Sequence, residues 1–155
     1  MKRLKYPLFT AFVLVLAMAA KAQLNPVSWS YSAKKVSDKM YEVRITASMQ
    51  SGWHMFSQKQ PDDAIAEPTK ITFTKNPLLK LDGNIKEEGD MEKFHDAKLK
   101  MSANQYASKV EFVQMVKMKA SAKTNLSGTV RFQTCNDQKC LPPKTINFSV
   151  ALQIR

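Results

Sequence analysis

The sequence predicts an all-β fold of two antiparallel sheets packed face to face. Three observations carry that expectation. Apolar and polar residues alternate with period two in most segments after residue 26, no segment keeps the 3.6-residue period of a helix, and turn-forming pairs punctuate the chain at short intervals. One stretch stands apart. Gln133-Thr134-Cys135-Asn136-Asp137-Gln138-Lys139-Cys140-Leu141-Pro142-Pro143 holds the only two cysteines of the 155-residue chain.

Residues 1–22 read as a secretory signal peptide. Lys2, Arg3 and Lys5 form the basic start, Leu8 to Ala20 the apolar run, and Ala20-Lys21-Ala22 the small-x-small cleavage site. The run is shorter than the roughly 20 residues a membrane span needs, and no cysteine follows the cut to carry a lipid. The expected product is residues 23–155, one exported soluble domain long enough to bury a core. Its formal net charge falls from +11 to +7 when Lys2, Arg3, Lys5 and Lys21 leave. The remaining lysines, among them Lys34, Lys35, Lys70, Lys86, Lys98, Lys109 and Lys123, read as scattered over solvated faces. No basic run is interleaved with aromatics, which argues against nucleic acid as a partner. No second long apolar stretch provides for stable membrane insertion, and attraction to an anionic membrane surface is not specified by the pattern.

Taken in order, Val27, Trp29, Tyr31 and Ala33 alternate with polar residues as far as the turn Ser37-Asp38-Lys39. Tyr41, Val43, Ile45, Ala47 and Met49 alternate with Glu42, Arg44, Thr46 and Ser48, which marks a half-buried strand. Ser51-Gly52 turns the chain into Trp53-His54-Met55-Phe56, apolar on both faces. Residues 58–68 form a loop centred on Pro61-Asp62-Asp63. Ile71 and Phe73 mark a short strand closed by Asn76-Pro77, and Leu79 and Leu81 lead to a turn at Gly83-Asn84. Residues 86–105 are charged and lack a period, so they read as irregular, with Glu87, Glu88, Asp90 and Glu92 as a solvated loop. Alternation resumes at Val110, Phe112, Gln114, Val116 and Met118, passes a polar turn at Thr124-Asn125, and returns over residues 129–134. Ile146, Phe148, Val150, Leu152 and Ile154 alternate without a break and close the domain. Seven to nine short strands, without helix or repeat, make the expected architecture an antiparallel two-sheet sandwich of immunoglobulin-like type. A small barrel is the alternative.

Val130, Phe132 and Thr134 share one face of their strand, and Thr129, Arg131 and Gln133 the other. Cys135 continues the Arg131 series, so its sulfur is expected on the wet face. Asn136-Asp137 supplies turn chemistry, and Pro142-Pro143 holds the exit extended and unpaired. Two cysteines in an exported protein most simply make a structural disulfide. Against that, a Cys135–Cys140 bridge closes a loop worth about 2 kcal/mol in the chain-entropy model, compared with about 5 for a hundred-residue loop. Nor is it expected to join the sheets, and Trp29, Trp53, Phe73, Phe112, Phe132 and Phe148 supply a core without it. A metal site from Cys135, Cys140, His54 and His95 lacks ligand spacing, and no cofactor motif or Ser–His–acid signature is present. Two readings stay open: a reactive exchange pair, or a secreted β-sandwich binding module with a structural disulfide.

The cysteine stretch, through Leu141-Pro142-Pro143, resembles the active-site loop of the amino-terminal periplasmic domain of the DsbD family of thiol–disulfide interchange reductases. The likeness extends to Gly52-Trp53-His54-Met55-Phe56-Ser57-Gln58, to Val110-Glu111-Phe112 and to the last alternating strand. The resemblance implies an immunoglobulin-like sandwich in the periplasm whose two cysteines shuttle between dithiol and disulfide without a cofactor. Electrons would come from a thioredoxin-like domain fed by a membrane transporter. They would pass to thioredoxin-like periplasmic partners, such as disulfide isomerases and the thioredoxins of cytochrome c maturation.

The same resemblance makes Cys140 the sulfur that meets partners and Cys135 the resolving thiol. It sets His54 and Phe56 beside the loop, His54 as a pKa tuner, and asks for an acidic and aromatic cap, for which Glu92, Lys93, Phe94, His95 and Asp96 are the candidates. Asp137 is expected to raise a thiol pKa, Lys139 and Lys144 to lower it. The chain departs from the family in having four residues between its cysteines, where the best-known members have five. It also ends at Arg155 without membrane segments, so the expected electron donor is a separate membrane transporter.

Overall fold

The computed structural model describes residues 25–98 and 100–152, and the expected signal peptide lies outside them. Nine strands occur among these residues, and none of them is helical. They are β1 (Val27–Ser37), β2 (Met40–Met49), β3 (His54–Phe56), β4 (Lys70–Phe73), β5 (Leu79–Asp96), β6 (Met101–Met118), β7 (Thr124–Phe132), β8 (Thr134–Cys135) and β9 (Lys144–Leu152). All pairings are antiparallel.

β6 is the spine of the larger sheet. One of its edges pairs with β5 along nearly its full length. The other takes β2 at residues 109–117 and then β3 at Gln105 and Tyr106, so β3 continues β2 after the turn at Gly52, whose φ is +80°. β1 lies outside β2 and β8 outside β3. The smaller sheet has the order β4-β7-β9. The alternating residues of β2, β6, β7 and β9 meet between the sheets, where Phe112, Ile45, Val43, Val110, Val130 and Leu152 are fully buried. Complete burial of a side chain the size of Phe112 contributes about 2–3 kcal/mol. Gly128, buried on β7, leaves room for the Phe148 ring, which packs edge-on to Phe73 and stacks on Tyr31.

Thr124-Asn125 is not a turn but the start of β7, paired with Leu152 and Ala151 of β9, and three further expectations change. Residues 86–105 are not irregular but belong largely to the β5–β6 hairpin, two strands of 18 residues each. β5 is an edge strand whose side chains after Leu79 are exposed except at half-buried Ile85, Glu87 and Asp96, so its backbone is paired while its side chains carry no period. Gly83-Asn84 is an irregularity within β5 rather than a turn. The register shifts between Asp82 and Lys86, and the buried Gln114 amide donates to the carbonyls of Asp82 and Gly83 there. The acidic group is structured too: Glu88 joins Glu42 and Glu111 around the Arg44 guanidinium.

Candidate functional site

β7 and β9 pair down to Phe132 and Lys144, so residues 133–143 are the loop of a β-hairpin in the smaller sheet. That loop crosses to the other layer. Thr134 and Cys135 pair with Met55 and His54, adding β8 to the larger sheet. Asn136 shapes the turn: its side-chain oxygen accepts from the amides of Gln138 (3.0 Å) and Lys139 (2.8 Å), and its own amide donates to the Lys139 carbonyl. The Leu141 amide donates to the Thr134 carbonyl. Cys135 and Cys140 face each other between these two bonds as a non-hydrogen-bonded pair, the closer kind in an antiparallel ladder. Their Cα atoms are 4.0 Å apart and their sulfurs are joined, S–S 1.94 Å.

The crossing at Gln133 corrects the wet-face expectation. Alternation counted along β7 ends where the chain changes sheets. Met55 and Thr134 are opposite one another and Met55 lies in the main core, so the next pair, His54 and Cys135, points to the far side of the larger sheet. That side is not open to water at Cys135. The residue is only 3% exposed and packs with Phe56 and Ala103, with Ala66 against them. Cys140, by contrast, is exposed, as are Asp137, Lys139, Pro142 and Pro143. One bridge thus has a covered sulfur residue and an open one.

The cover comes from the loop between β3 and β4, and polar bonds hold it down. The Gln60 side chain donates to the Asn104 carbonyl (2.7 Å) and accepts from the Asn104 amide (3.0 Å), taking the place of a strand where β3 stops. Asp63 accepts from Ser102, whose hydroxyl also meets His95 Nδ1 at 2.9 Å. The Glu67 amide donates to Gln133 Oε1, and the Glu67 carboxylate pairs with Arg131, which holds that carboxyl below its ordinary range. At the base of the loop the Glu87 carboxylate accepts from the Ser57 hydroxyl (2.5 Å), the Gln58 amide (2.6 Å) and the Tyr106 hydroxyl (2.9 Å). Burial, then Glu87, pushes the Tyr106 phenol well above its usual range.

His54 is half-buried beside Cys135, with its ring edge-on to Phe56 at 5.4 Å. Burial holds its imidazole below the ordinary value of 6.5, outweighing the upward pull of Asp137 and Glu92. The unfolded chain therefore takes up this proton at a higher pH than the native one. That difference removes stability as the pH falls below about 6.5. His54→Gln should flatten the decline in urea midpoint between about pH 7.5 and 5. An unchanged slope would take His54 out of the acid sensitivity.

The structure thus brings His54, Phe56, Cys135 and Cys140 together, with Asp137 at the loop tip. Phe94 lies further out: it pairs with Ala103 across β5 and β6, shares that residue's face, and is 44% exposed. Residues 92–96, the candidate cap, are strand. Among the described residues no group of three or more His, Cys, Asp and Glu side chains is placed to hold a metal ion. Ala66, Ala103, Gln60 and Glu67 escaped the sequence reading. Small apolar residues and amides carry no chemical signature, and only the closing of the loop on β6 gives them a role.

The sequence profile of the family described as "Thiol:disulfide interchange protein DsbD, N-terminal" matches residues 21–152. The chain belongs to the DsbD N-terminal domain family. Among solved structures, the N-terminal periplasmic domain of ScsB from Proteus mirabilis is similar at a TM-score of 0.55 and 16% identity, covering 86% of this chain. The match spans 48% of that ScsB chain, about half its length. The DsbD N-terminal domain of Neisseria meningitidis in the reduced form matches at 0.50 and 17%, over 81% of this chain and 86% of its own. Both likenesses are of fold, an immunoglobulin-like sandwich, as the strand pattern predicts. No curated protein matches significantly in sequence. In this DsbD N-terminal domain the cysteine hairpin lies within the matched residues, at the junction of the two sheets.

Proposed function

We propose that this domain carries out thiol–disulfide interchange, relaying electrons between thioredoxin-like periplasmic partners through Cys135 and Cys140, with a membrane transporter as the ultimate donor. The observation that carries the reading is the unequal exposure of the bridge, open at Cys140 and covered at Cys135. Family membership supports it. A partner thiolate attacks the Cys140 sulfur, the bond to Cys135 breaks, and Cys135 leaves as a thiolate under Phe56 and Ala103. The partner's second thiolate then attacks its own mixed-disulfide sulfur and releases the Cys140 thiolate. Two electrons have moved, the partner is oxidised, and the domain holds a dithiol. Passing electrons onward, the Cys140 thiolate attacks a partner disulfide and Cys135 resolves the adduct. His54 and Phe56 flank the covered sulfur, Asp137 sets local charge at the tip, and Phe94 shields the outer margin of the same face. Export by residues 1–22, leaving 23–155 as the working domain, belongs to the same proposal.

Reduced thioredoxin should open the bridge in the native state, because neither sheet has to separate for a nucleophile to reach Cys140. The measurement is maleimide labelling of the released thiols, beside tryptophan fluorescence that reports folding. Opening at a rate independent of mild urea is expected. A bridge that yields only within the unfolding transition would sink the exchange reading and leave the binding module with a structural disulfide.

A further inference from the structure

Eight of the lysines that look scattered in the sequence collect at the end of the sandwich remote from the disulfide. Lys34, Lys35 and Lys39 come from the end of β1 and the β1–β2 turn. Lys75 precedes β5 and Lys80 lies at its start, while Lys117, Lys119 and Lys123 bracket the β6–β7 connection. Backbone bonds tie these connections together: the Met118 amide donates to the Lys39 carbonyl at 2.7 Å and the Lys119 amide to the Leu78 carbonyl at 2.8 Å. Only Asp38, Glu42 and Asp82 lie at the same level, and Glu42 is taken up by Arg44. Eight lysines thus face three carboxylates here. The rest of the described chain holds eleven basic against ten acidic residues, so almost all the net charge resides at one end. None of the eight lysines is in an ion pair of the described residues. Val36 (54% exposed) and Leu81 (40%) stand among them as exposed apolar side chains.

We propose that this end docks on an anionic lipid surface, leaving the Cys135–Cys140 hairpin turned away from the bilayer. The cations decide the kind of partner. All eight are lysines and none is arginine, and lysine is a mobile, strongly hydrated point charge without the planar fork that recognises a fixed carboxylate. Protein interfaces are depleted in lysine and enriched in arginine. A fluid layer of headgroup phosphates demands no fixed geometry, and each lysine near it adds to the attraction. Val36 and Leu81 are placed to dip into the headgroup layer. β6 runs from Tyr106, beside β3, to Met118 at the lysine end, roughly 40 Å at 3.3 Å per residue. That is several Debye lengths at physiological salt, so the hairpin lies outside the surface field. The docking does not depend on thiol exchange.

The test is co-sedimentation of the exported chain with vesicles of phosphatidylglycerol and phosphatidylcholine, or of phosphatidylcholine alone. Binding to the anionic vesicles only, lost at about 0.5 M salt, is expected. Lys80→Gln, Lys117→Gln, Lys119→Gln and Lys123→Gln combined should lower the partition coefficient roughly a thousandfold. Lys59→Gln, Lys93→Gln, Lys98→Gln and Lys139→Gln combined remove the same charge from the other half and should leave it within about twofold. Circular dichroism checks that both variants fold. Absence of vesicle binding, or an equal loss in both variants, would overturn the proposal. So would binding to polyglutamate without binding to vesicles, which would assign the end to an acidic protein.

Discussion

Capture by a thioredoxin-like partner should be roughly a hundredfold faster through Cys140 than through Cys135, since the exchange rate follows access to the thiolate. The comparison uses Cys135→Ala, which keeps Cys140, and Cys140→Ala, which keeps Cys135. Alanine is preferred to serine because position 135 is covered by Phe56, Ala103 and Ala66, where a hydroxyl would be left without a partner. The partner is thioredoxin lacking its resolving cysteine, its remaining cysteine activated as a mixed disulfide with thionitrobenzoate. The domain's thiolate displaces the coloured leaving group, whose release is timed, and the covalent complex is weighed by mass spectrometry. In Cys135→Ala the thiolate sits on the exposed side of the hairpin, beside half-buried Leu141 and exposed Pro142 and Pro143. Ile65, 76% exposed next to Ala66 in sequence, adds another apolar group to the loop that covers the site. In Cys140→Ala the thiol lies beneath the β3–β4 loop, and attack has to wait for that loop to lift. Equal rates through either cysteine would refute the assigned roles.

Gly128→Ala should cost about 3 kcal/mol, the upper end of the range for overpacking a filled site. Gly128 sits in the central strand of the smaller sheet, opposite Phe73 on one side and Phe148 on the other. A methyl group there would run into the Thr72 carbonyl and come within 2.8–2.9 Å of the Phe148 ring. The carbonyl belongs to β4 and cannot turn aside without loosening the pairing of β4 with β7. The Phe148 ring is held between Tyr31 and Phe73, each 5.9 Å away by ring centroid. A melting temperature lower by roughly 10 °C is expected for a domain of this size. Thr129→Ala, one residue along the same strand and only half-buried, should shift stability by about 0.5 kcal/mol or less. If the two variants melted together, the close packing around Gly128 would carry no energetic weight. Gly128→Ala combined with Phe148→Leu should regain part of the loss.

Where a strand is covered on one face only, the sequence showed it. Tyr41 to Met49, Val110 to Met118 and Ile146 to Leu152 each alternate because one side meets the core and the other meets water. β5 stayed hidden for the opposite reason. As an edge strand exposed along most of its length, it owes its conformation to the β6 ladder, which leaves no mark on side-chain order. Strand parity counted along β7 puts Cys135 on the wet face, but the count breaks at Gln133, where the chain passes from one sheet to the other. The chemical part of the site was legible, since cysteines, turn formers and prolines announce themselves by type. Its cover was not, because Ala66 and Ala103 matter only through where the 57–68 loop lands.

The hairpin connection between β7 and β9 has a consequence for how freely the spacing of the cysteines can vary. Both ends of the connection are anchored by strand pairing at Phe132 and Lys144, and β8 is anchored again by β3. Among the described residues, the turn at residues 136–139 is held by hydrogen bonds within itself and by the Cys135–Cys140 bridge that closes it. An inserted or deleted residue there lengthens or shortens only the tip, and neither sheet shifts register. The four residues between these cysteines, against five in the best-known members of the family, can be accommodated where the fold has slack. Divergence can therefore retune the reach and flexibility of the bridge one residue at a time while the sandwich beneath it is inherited intact.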